Sequence, residues 1–221
     1  MPLYYLTVLA LAGFLSGSLP FGWLVARLGG MDIRKHGSGN IGMTNVWRVM
    51  GWKAGLTVLL LDVAKGLLPV LLAGRLMDTV NPPGLTISGR AWLLLITGLA
   101  AILGHTFTPW LKFRGGKGVA TSLGVLIALY QLWVLAPLGV FLLALATTRM
   151  VSVGSILAAL SVGILAVAVP ALRPYMAFGI PVALLVVWTH RSNIRRILDG
   201  TESRVGSGKK KPAAESAQAD Q

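Results

Sequence analysis

The feature that most constrains this chain is a series of long apolar stretches that charged residues rarely interrupt. They cover residues 3–28, 55–77, 91–103, 119–130, 132–146, 153–169 and 174–188. Hydrophobic residues make up 55% of the 221 positions and charged residues only 12%, a balance that suits helices in a lipid bilayer. The sequence therefore predicts an all-α integral membrane protein with seven transmembrane or partly spanning helices. The first stretch lacks a basic leader and a clean cleavage site, so we expect a retained helix.

Residues 119–146 fit either one long helix or a hairpin that turns near Gln131. With the basic C-terminus placed inside, the hairpin puts 16 of the 20 Lys and Arg residues inside and three outside, with Lys65 within a span. A single helix divides them ten to nine. Because cytoplasmic loops carry an excess of Lys and Arg, we expect the hairpin, with the N-terminus outside and the C-terminus cytoplasmic. Residues 1–202 then form one membrane domain, and residues 203–221 form a disordered basic cytoplasmic tail.

Charge and composition narrow the classes of partner and of chemistry. The formal net charge of +13 favours an anionic partner, such as lipid headgroups or phosphorylated substrates. Nucleic acid fits less well, because the charges are scattered between apolar segments. The chain has no cysteine, three histidines and seven acidic residues, which excludes disulfides and argues against a metal site. We therefore expect neither a metal nor another cofactor.

The first predicted cytoplasmic loop contains the segment HGSGNIGMTN at residues 36–45. Its small and polar members include Gly37, Ser38, Gly39, Asn40, Gly42, Thr44 and Asn45. Glycines and short side-chain donors at this density are typical of backbone that wraps around an anion. If a helix begins at Thr44, Arg48 falls on the same face. The alternative interpretation is a flexible loop in which Arg34 and Lys35 are only topology signals.

The second loop places a lysine directly after two glycines. Lys117 follows Gly115 and Gly116 where a helix begins, which resembles a phosphate-binding loop without the full nucleotide motif. A lysine at a membrane edge is usually an anchor whose amine reaches the lipid headgroups. This interpretation suits Lys112 better than Lys117, which is enclosed by glycines.

The third and fourth loops add further polar candidates. His190 and Asn193 are three residues apart and share a helix face, with Arg195 and Arg196 following. A histidine at the end of a membrane helix is about as often packed at the interface as functional, but the pairing with Asn193 favours function. Ser155, in the third loop, is by itself a weak candidate for a site residue.

One pair of opposite charges lies inside the second apolar stretch. Asp62 and Lys65 are three residues apart, a spacing that allows them to pair on a helix. We expect a structural or pocket-supporting pair. A proton relay would need further ionisable residues at that depth, and the sequence suggests none.

If the site binds two phosphates, their mutual repulsion sets how many cations the basic loops must supply. Two doubly charged phosphates about 5 Å apart repel by roughly 13 kcal/mol at an effective dielectric near 20. Several cations are then needed, and Arg48 and Lys117 are best placed, with His190 a further candidate. The few acidic residues also limit the choice of general base to His190 or a substrate phosphate. Transfer from an already activated acyl donor needs little more than positioning and charge stabilisation.

Three segments together resemble the cytoplasmic motifs of the bacterial acyl-phosphate-dependent glycerol-3-phosphate acyltransferase family. They are GSGNIGMTNVWR, GHTFTPWLKFRGGKGVATSLG and HRSNIRRILDGTE. The resemblance implies seven helices in the bacterial inner membrane, an active site facing the cytoplasm, and the first acylation of phospholipid biosynthesis. A fatty acyl group would pass from acyl phosphate to the 1-position of glycerol 3-phosphate, giving lysophosphatidic acid and inorganic phosphate. The implied partners are these substrates and membrane lipid, and the enzyme that makes acyl phosphate is a further candidate.

The resemblance also implies roles for individual residues. Ser38 and its neighbouring glycines would hold the phosphate of the acyl donor. The ligands of glycerol 3-phosphate would be Arg48, Lys117, His190 and Asn193, with Ser155 also lining the site. Asn40, Thr44 and Asn45 would shape the loop and bind substrate.

Two other classes of membrane protein compete with an acyltransferase. A transporter or channel for a phosphorylated solute needs polar residues in the middle of the membrane, whereas here they gather on one side apart from Asp62 and Lys65. A structural or lipid-binding protein leaves the glycine-and-cation loops unexplained. The sequence therefore favours the enzyme.

Overall fold

The computed structural model describes residues 3–206, apart from the side chain of Met176, and within them contains helices and no strand. The α-helices are α1 (Leu3–Ser18), α2 (Phe21–Leu28), α3 (Met43–Met50), α4 (Trp52–Val80), α5 (Ile87–Thr106), α6 (Val119–Tyr130), α7 (Leu135–Thr148), α8 (Val151–Ala168), α9 (Met176–Thr189) and α10 (Arg191–Leu198). Short 3₁₀ turns lie at Ile33–Lys35, Pro109–Leu111, Gln131–Val134 and Pro170–Tyr175.

Within residues 3–206, five helical segments are long and apolar enough to cross a membrane. They are Leu3–Leu28, Trp52–Val80, Ile87–Leu111, Val119–Thr148 and Val151–Ala168, and the shorter Ala177–Thr189 is also apolar. Their outer surfaces expose large side chains such as Leu72 and Ile164, which water would not tolerate in such numbers. The all-α membrane class predicted from the sequence is confirmed, while the number of crossings and their direction stay predictions.

Small residues let the helices approach backbone to backbone. The tightest pair is α1 with α5. A Cβ added at Gly17 would collide with the carbonyl oxygen of Ala101, and one added at Gly104 would collide with that of Phe14. Close contact through glycine is a common way for membrane helices to associate, because lipid supplies no hydrophobic force between them.

The chain turns between α6 and α7, near the residue where the sequence predicted a hairpin. Gln131 breaks the helix with φ 49° and ψ −123°. Lys117, before α6, contacts Asn193, and the Nε of Arg149, after α7, donates to the carbonyl oxygen of Val205 at 3.0 Å. Asn193 and Val205 both belong to the C-terminal segment, so the two ends of residues 119–148 lie together. A straight helix of that length would hold its ends about 45 Å apart.

The polar loops before α3, after α5 and after α9 meet at one end of the helical bundle, and α1 begins at the opposite end. There, Leu9 packs with Met77 and Leu93. Nearby Arg90 forms an ion pair with Asp78, which joins α4 to α5. Of the tail predicted at 203–221, everything beyond residue 206 lies outside the described residues.

Candidate active site

A cavity of about 500 Å³ opens at the end of the bundle where the polar loops meet. Its lining residues are Asp32, Arg34, Lys35, Ser38, Gly39, Asn40, Arg114, Gly115, Lys117, Ser192 and Arg196. Five are cations, and the one carboxylate is already held by Arg34, whose Nε and Nη2 lie 2.9 and 2.6 Å from its oxygens. The cavity therefore presents an excess of positive charge that suits an anion.

The buried side chain of Asn45 shapes the first loop from within. Its Oδ1 accepts the N–H of Ser38 at 2.9 Å. Its Nδ2 donates to the carbonyl oxygens of His36 and Asn40 at 3.0 and 2.9 Å. One amide thus ties three points of the loop to the start of α3, and Ser38 and Asn40 are held at the cavity wall as a result.

The glycines of this loop stabilise its conformation through hydrogen bonds within the loop. The N–H of Gly39 donates to the carbonyl oxygen of His36 at 3.0 Å, and that of Gly42 donates to the Oδ1 of Asn40 at 2.8 Å. Gly37 has φ 59°, and a Cβ there would collide with the amide of Asn45. These N–H groups therefore close the loop on itself, contrary to the expected backbone cradle, and Ser38 offers its exposed side chain instead.

The second loop is anchored on the last turn of α5. The N–H groups of Gly115 and Gly116 donate to the carbonyl oxygens of Thr106 and His105 at 3.0 and 3.1 Å. A Cβ at Gly116 would strike the His105 imidazole. The two glycines are thus engaged by α5, and their structural effect is to set the position of the next residue, Lys117.

Lys117 is the cation at the centre of the site. Its Nζ donates to the Oδ1 of Asn193, and this hydrogen bond joins the second loop to the fourth. Burial lowers the pKa of Lys117 to about 8, and the charges of Arg196 and Arg48 add to that lowering although Glu202 opposes it. An anion bound beside Nζ would favour the charged form further.

Glu202 links these residues and was not predicted as part of the site. Its Oε1 accepts from the Nδ2 of Asn193 and from the Oγ of Ser152, each at 2.7 Å, and its Oε2 accepts from the Nε of Arg196 at 2.7 Å. Burial alone would raise the pKa of Glu202, but these hydrogen bonds lower it overall. Its one sequence signal is its place at the end of the segment HRSNIRRILDGTE, three residues after Asp199.

His190 is buried and uncharged near neutral pH. Burial lowers its pKa to about 4, with the charge of Lys117 adding to the effect. Its Nδ1 lies 2.8 Å from the carbonyl oxygen of Val186, which can only accept, so the proton sits on Nδ1 and Nε2 is an acceptor. The role of His190 as a further cation stays a prediction.

Nine of the fourteen predicted site residues do not line the cavity: Gly37, Gly42, Thr44, Asn45, Arg48, Gly116, Ser155, His190 and Asn193. Arg48 is exposed on α3, although it is close enough to affect the pKa of Lys117. Ser155 is buried, and its Oγ donates to Val151 of its own helix at 2.9 Å. Thr44 is half-buried in the first turn of α3. The cavity instead includes basic residues that had been taken as topology signals or left aside: Arg34, Lys35, Arg114 and Arg196.

The buried charge pair has a third member that sequence reasoning missed. Lys65 Nζ lies 2.7 Å from Asp62 Oδ1, as predicted, and also donates to the carbonyl oxygen of Leu19 at 2.7 Å. The Nδ1 of His105 lies 3.7 Å from the same carboxylate oxygen. The expectation of no other ionisable group at that depth is therefore wrong. His105 is forty residues away in the chain, so no local pattern indicated it.

Within the described residues, no three His, Asp or Glu side chains form a group that could hold a metal ion. The arrangement combines cations, neutral donors and one imidazole acceptor around a cavity. Such a set can bind phosphates and stabilise negative charge as it develops.

Comparison with known proteins agrees with this chemistry. Residues 7–200 match the family model for glycerol-3-phosphate acyltransferase. A glycerol-3-phosphate acyltransferase of Synechococcus elongatus is 46% identical over 199 residues, which are 90% of this chain and 93% of that protein.

Two crystal structures of PlsY (YgiH), an integral membrane glycerol 3-phosphate acyltransferase, share the fold. The glycerol 3-phosphate form has a TM-score of 0.81 and 38% identity, over 91% of this chain and 96% of that one. The lysophosphatidic acid form has a TM-score of 0.78 and 37% identity, over 91% and 95%. With motifs, fold and a phosphate-suited cavity in agreement, the chain belongs to the glycerol-3-phosphate acyltransferase family.

Proposed function

We propose that this protein transfers a fatty acyl group from acyl phosphate to the 1-position of glycerol 3-phosphate. The products are lysophosphatidic acid and inorganic phosphate, and the reaction is the first acylation of phospholipid biosynthesis. The observation that carries the proposal is the cavity between the Ser38 loop and Lys117, lined by five cations in a membrane protein of this family. PlsY, which shares the fold, is an acyltransferase whose structures include glycerol 3-phosphate and lysophosphatidic acid forms.

The two substrates approach Lys117 from different sides. On one side, Ser38, Gly39 and Asn40 line the cavity and would take the phosphate of the acyl donor, with its tail in the bilayer. On the other, Asn193 is bonded to Lys117, and His190 is close enough for the charge of Lys117 to lower its pKa. This side would take glycerol 3-phosphate, with Arg48 near enough to contribute its charge. Lys117 would lie between the two phosphates and reduce their repulsion.

The chemistry follows from the state of these groups. The 1-hydroxyl oxygen attacks the acyl carbon, the bond from that carbon to the phosphate oxygen breaks, and its electron pair leaves with phosphate. The Nε2 of His190 is an acceptor for the hydroxyl proton, and a substrate phosphate is the alternative. Lys117 stabilises the charge that develops on the acyl oxygen or on the departing phosphate.

The proposed orientation places this cavity in the cytoplasm of a bacterium, with seven crossings of the inner membrane. Support comes from the hairpin at Gln131, since both ends of residues 119–148 meet the C-terminal segment. It also comes from the Lys and Arg residues, 16 of which fall on that side. Residues 1–202 would then act as a single membrane domain.

A reconstituted assay tests the proposal. Purified protein in lipid nanodiscs is given palmitoyl phosphate and glycerol 3-phosphate, without nucleotide or added metal, and both lysophosphatidic acid and phosphate are measured. We expect the two products in equal amounts, with the acyl group at the 1-position by NMR. Palmitoyl-CoA in place of palmitoyl phosphate should give no product. Turnover with palmitoyl-CoA, or none with palmitoyl phosphate, would overturn the proposed donor.

A further inference from the structure

The geometry points to Arg114 and Arg196 as ligands of the donor phosphate, facing the Ser38 loop from the second and fourth loops. This inference rests on the proposed function and adds two residues to it. Both arginines line the cavity together with Ser38, Gly39 and Asn40. The residues assigned to the acceptor side, His190 and Asn193, do not line it.

Arg196 is held in one orientation by a buried carboxylate. Its Nε donates to the Oε2 of Glu202 at 2.7 Å, and the Glu202 side chain is only 7% exposed. The Arg196 side chain is itself 38% exposed. Because a guanidinium has five N–H donors in a rigid plane, the bond at Nε fixes that plane and leaves donors of the Nη groups for another partner. They form a prearranged fork of the kind that binds phosphate oxygens in pairs.

Arg114 is presented by an unusual backbone. The two residues before it, Lys112 and Phe113, both have left-handed conformations, with φ 55° and 60°. Such conformations cost energy for residues other than glycine and are retained where a side chain must be aimed. The next residue, Gly115, is bonded to the carbonyl oxygen of Thr106 at 3.0 Å. Arg114 is thus held at the cavity wall from both sides.

The charge balance also requires additional cations on the donor side. Lys117 is shared between two phosphates, and the charge of Arg34 is offset by its bonds to Asp32. A doubly charged donor phosphate against Ser38 would otherwise face Lys35 as its main unshared cation. Arg114 and Arg196 supply the remaining charge.

The test compares each arginine with a basic neighbour that does not line the cavity. Arg196→Gln is matched by Arg195→Gln, and Arg114→Gln by Lys112→Gln. Steady-state kinetics should show KM for palmitoyl phosphate raised about tenfold or more in the cavity variants, with KM for glycerol 3-phosphate within about twofold. Both control variants should resemble the wild type. A rise in KM for glycerol 3-phosphate instead, or equal effects in the controls, would overturn the inference.

Two additions keep the test independent of folding and of turnover. Arg114→Gln leaves Glu202 and its partners untouched, so a loss there does not reflect an unpaired carboxylate. Binding of a non-hydrolysable palmitoyl phosphonate is also measured directly by thermophoresis. If the wild type binds it but does not turn over acyl phosphate, the proposed function fails while the inference is still decided by the Kd of each variant. We expect Kd to rise about tenfold in both cavity variants and not in the controls.

Discussion

Two regions of the described structure concentrate charge, and they use it in opposite ways. At the end of the bundle where the polar loops meet, which we call the loop end, five cations surround an open cavity with a single carboxylate among them. Within the bundle, Asp62 and Lys65 form a pair whose side chains are each 2% exposed, with His105 beside it. The cavity keeps uncompensated charge facing solvent, whereas the buried cluster compensates its charge internally. The first arrangement suits binding, and the second suits holding helices together.

The two regions meet at the residues before Lys117. Gly116 lies against the imidazole of His105, which is the member of the buried cluster nearest the loop end. The next residue is Lys117. A change in the buried cluster that moves His105 can therefore displace Gly116 and, with it, Lys117. Variants at this contact test whether the binding region and the structural region are independent.

The largest expected effect is on stability, from removing one member of the buried pair. Asp62→Ala leaves the Lys65 amine without its counter-charge, and we expect the free energy of unfolding to fall by about 3–5 kcal/mol. Thermal unfolding in detergent measures it. The double variant Asp62→Leu with Lys65→Leu removes both charges and should regain much of the loss. A single variant as stable as the wild type would show that the pair does not support the fold.

Next is the loss of turnover on removing the central cation. Lys117→Ala should lower kcat/KM by about 10²–10³-fold, because a preorganised donor next to developing charge contributes that much. Its melting temperature should stay close to that of the wild type, in contrast to Asp62→Ala. Lys112→Ala is the matched control and should keep most activity. If Lys117→Ala unfolds as readily as Asp62→Ala, the division between the two regions does not hold.

A substitution at the contact between the two regions should lower activity by a smaller factor, and a second substitution should restore part of it. Gly116→Ala forces a methyl group against His105, an overpacking that typically costs about 1–3 kcal/mol, and displaces Lys117. We expect activity to fall about tenfold or more. Adding His105→Ala makes space for the methyl group and should restore part of the activity, measured as a double-mutant cycle. Additive losses would contradict the proposed path from the cluster to the cavity.

The smallest effect is the response to pH within the cavity. Lys117 carries its charge below its pKa of about 8, so kcat/KM should be held below that pH and fall roughly tenfold per unit above it. His190 is neutral above about 4, so an acid limb should appear only near that value. Lys117→Arg should remove the alkaline limb, whatever its activity. An unchanged limb in Lys117→Arg would assign it to another group.

Much of the candidate site could be predicted because its parts lie in short segments. The Ser38 loop, the glycines before Lys117 and the spacing of His190 and Asn193 are all local patterns. The contacts between these segments could not be predicted from the sequence. Glu202 contacts Ser152 from fifty residues away, and Lys117 contacts Asn193 from 76 residues away. Nothing in either segment indicates such a partner, since the helices between them decide which loops meet.

By itself, the sequence determined that this chain is an all-helical membrane protein, that a turn lies near Gln131, and that its loops carry acyltransferase motifs. Those properties depend on local hydrophobicity, charge and residue order, which need no knowledge of neighbours. Only the tertiary structure decided that the N–H groups of Gly39 and Gly42 close the first loop on itself, that His105 joins the buried pair, and that Arg114 and Arg196 line the cavity. Each of these is a contact between distant segments, and it exists because helix packing brings their side chains within a few ångströms.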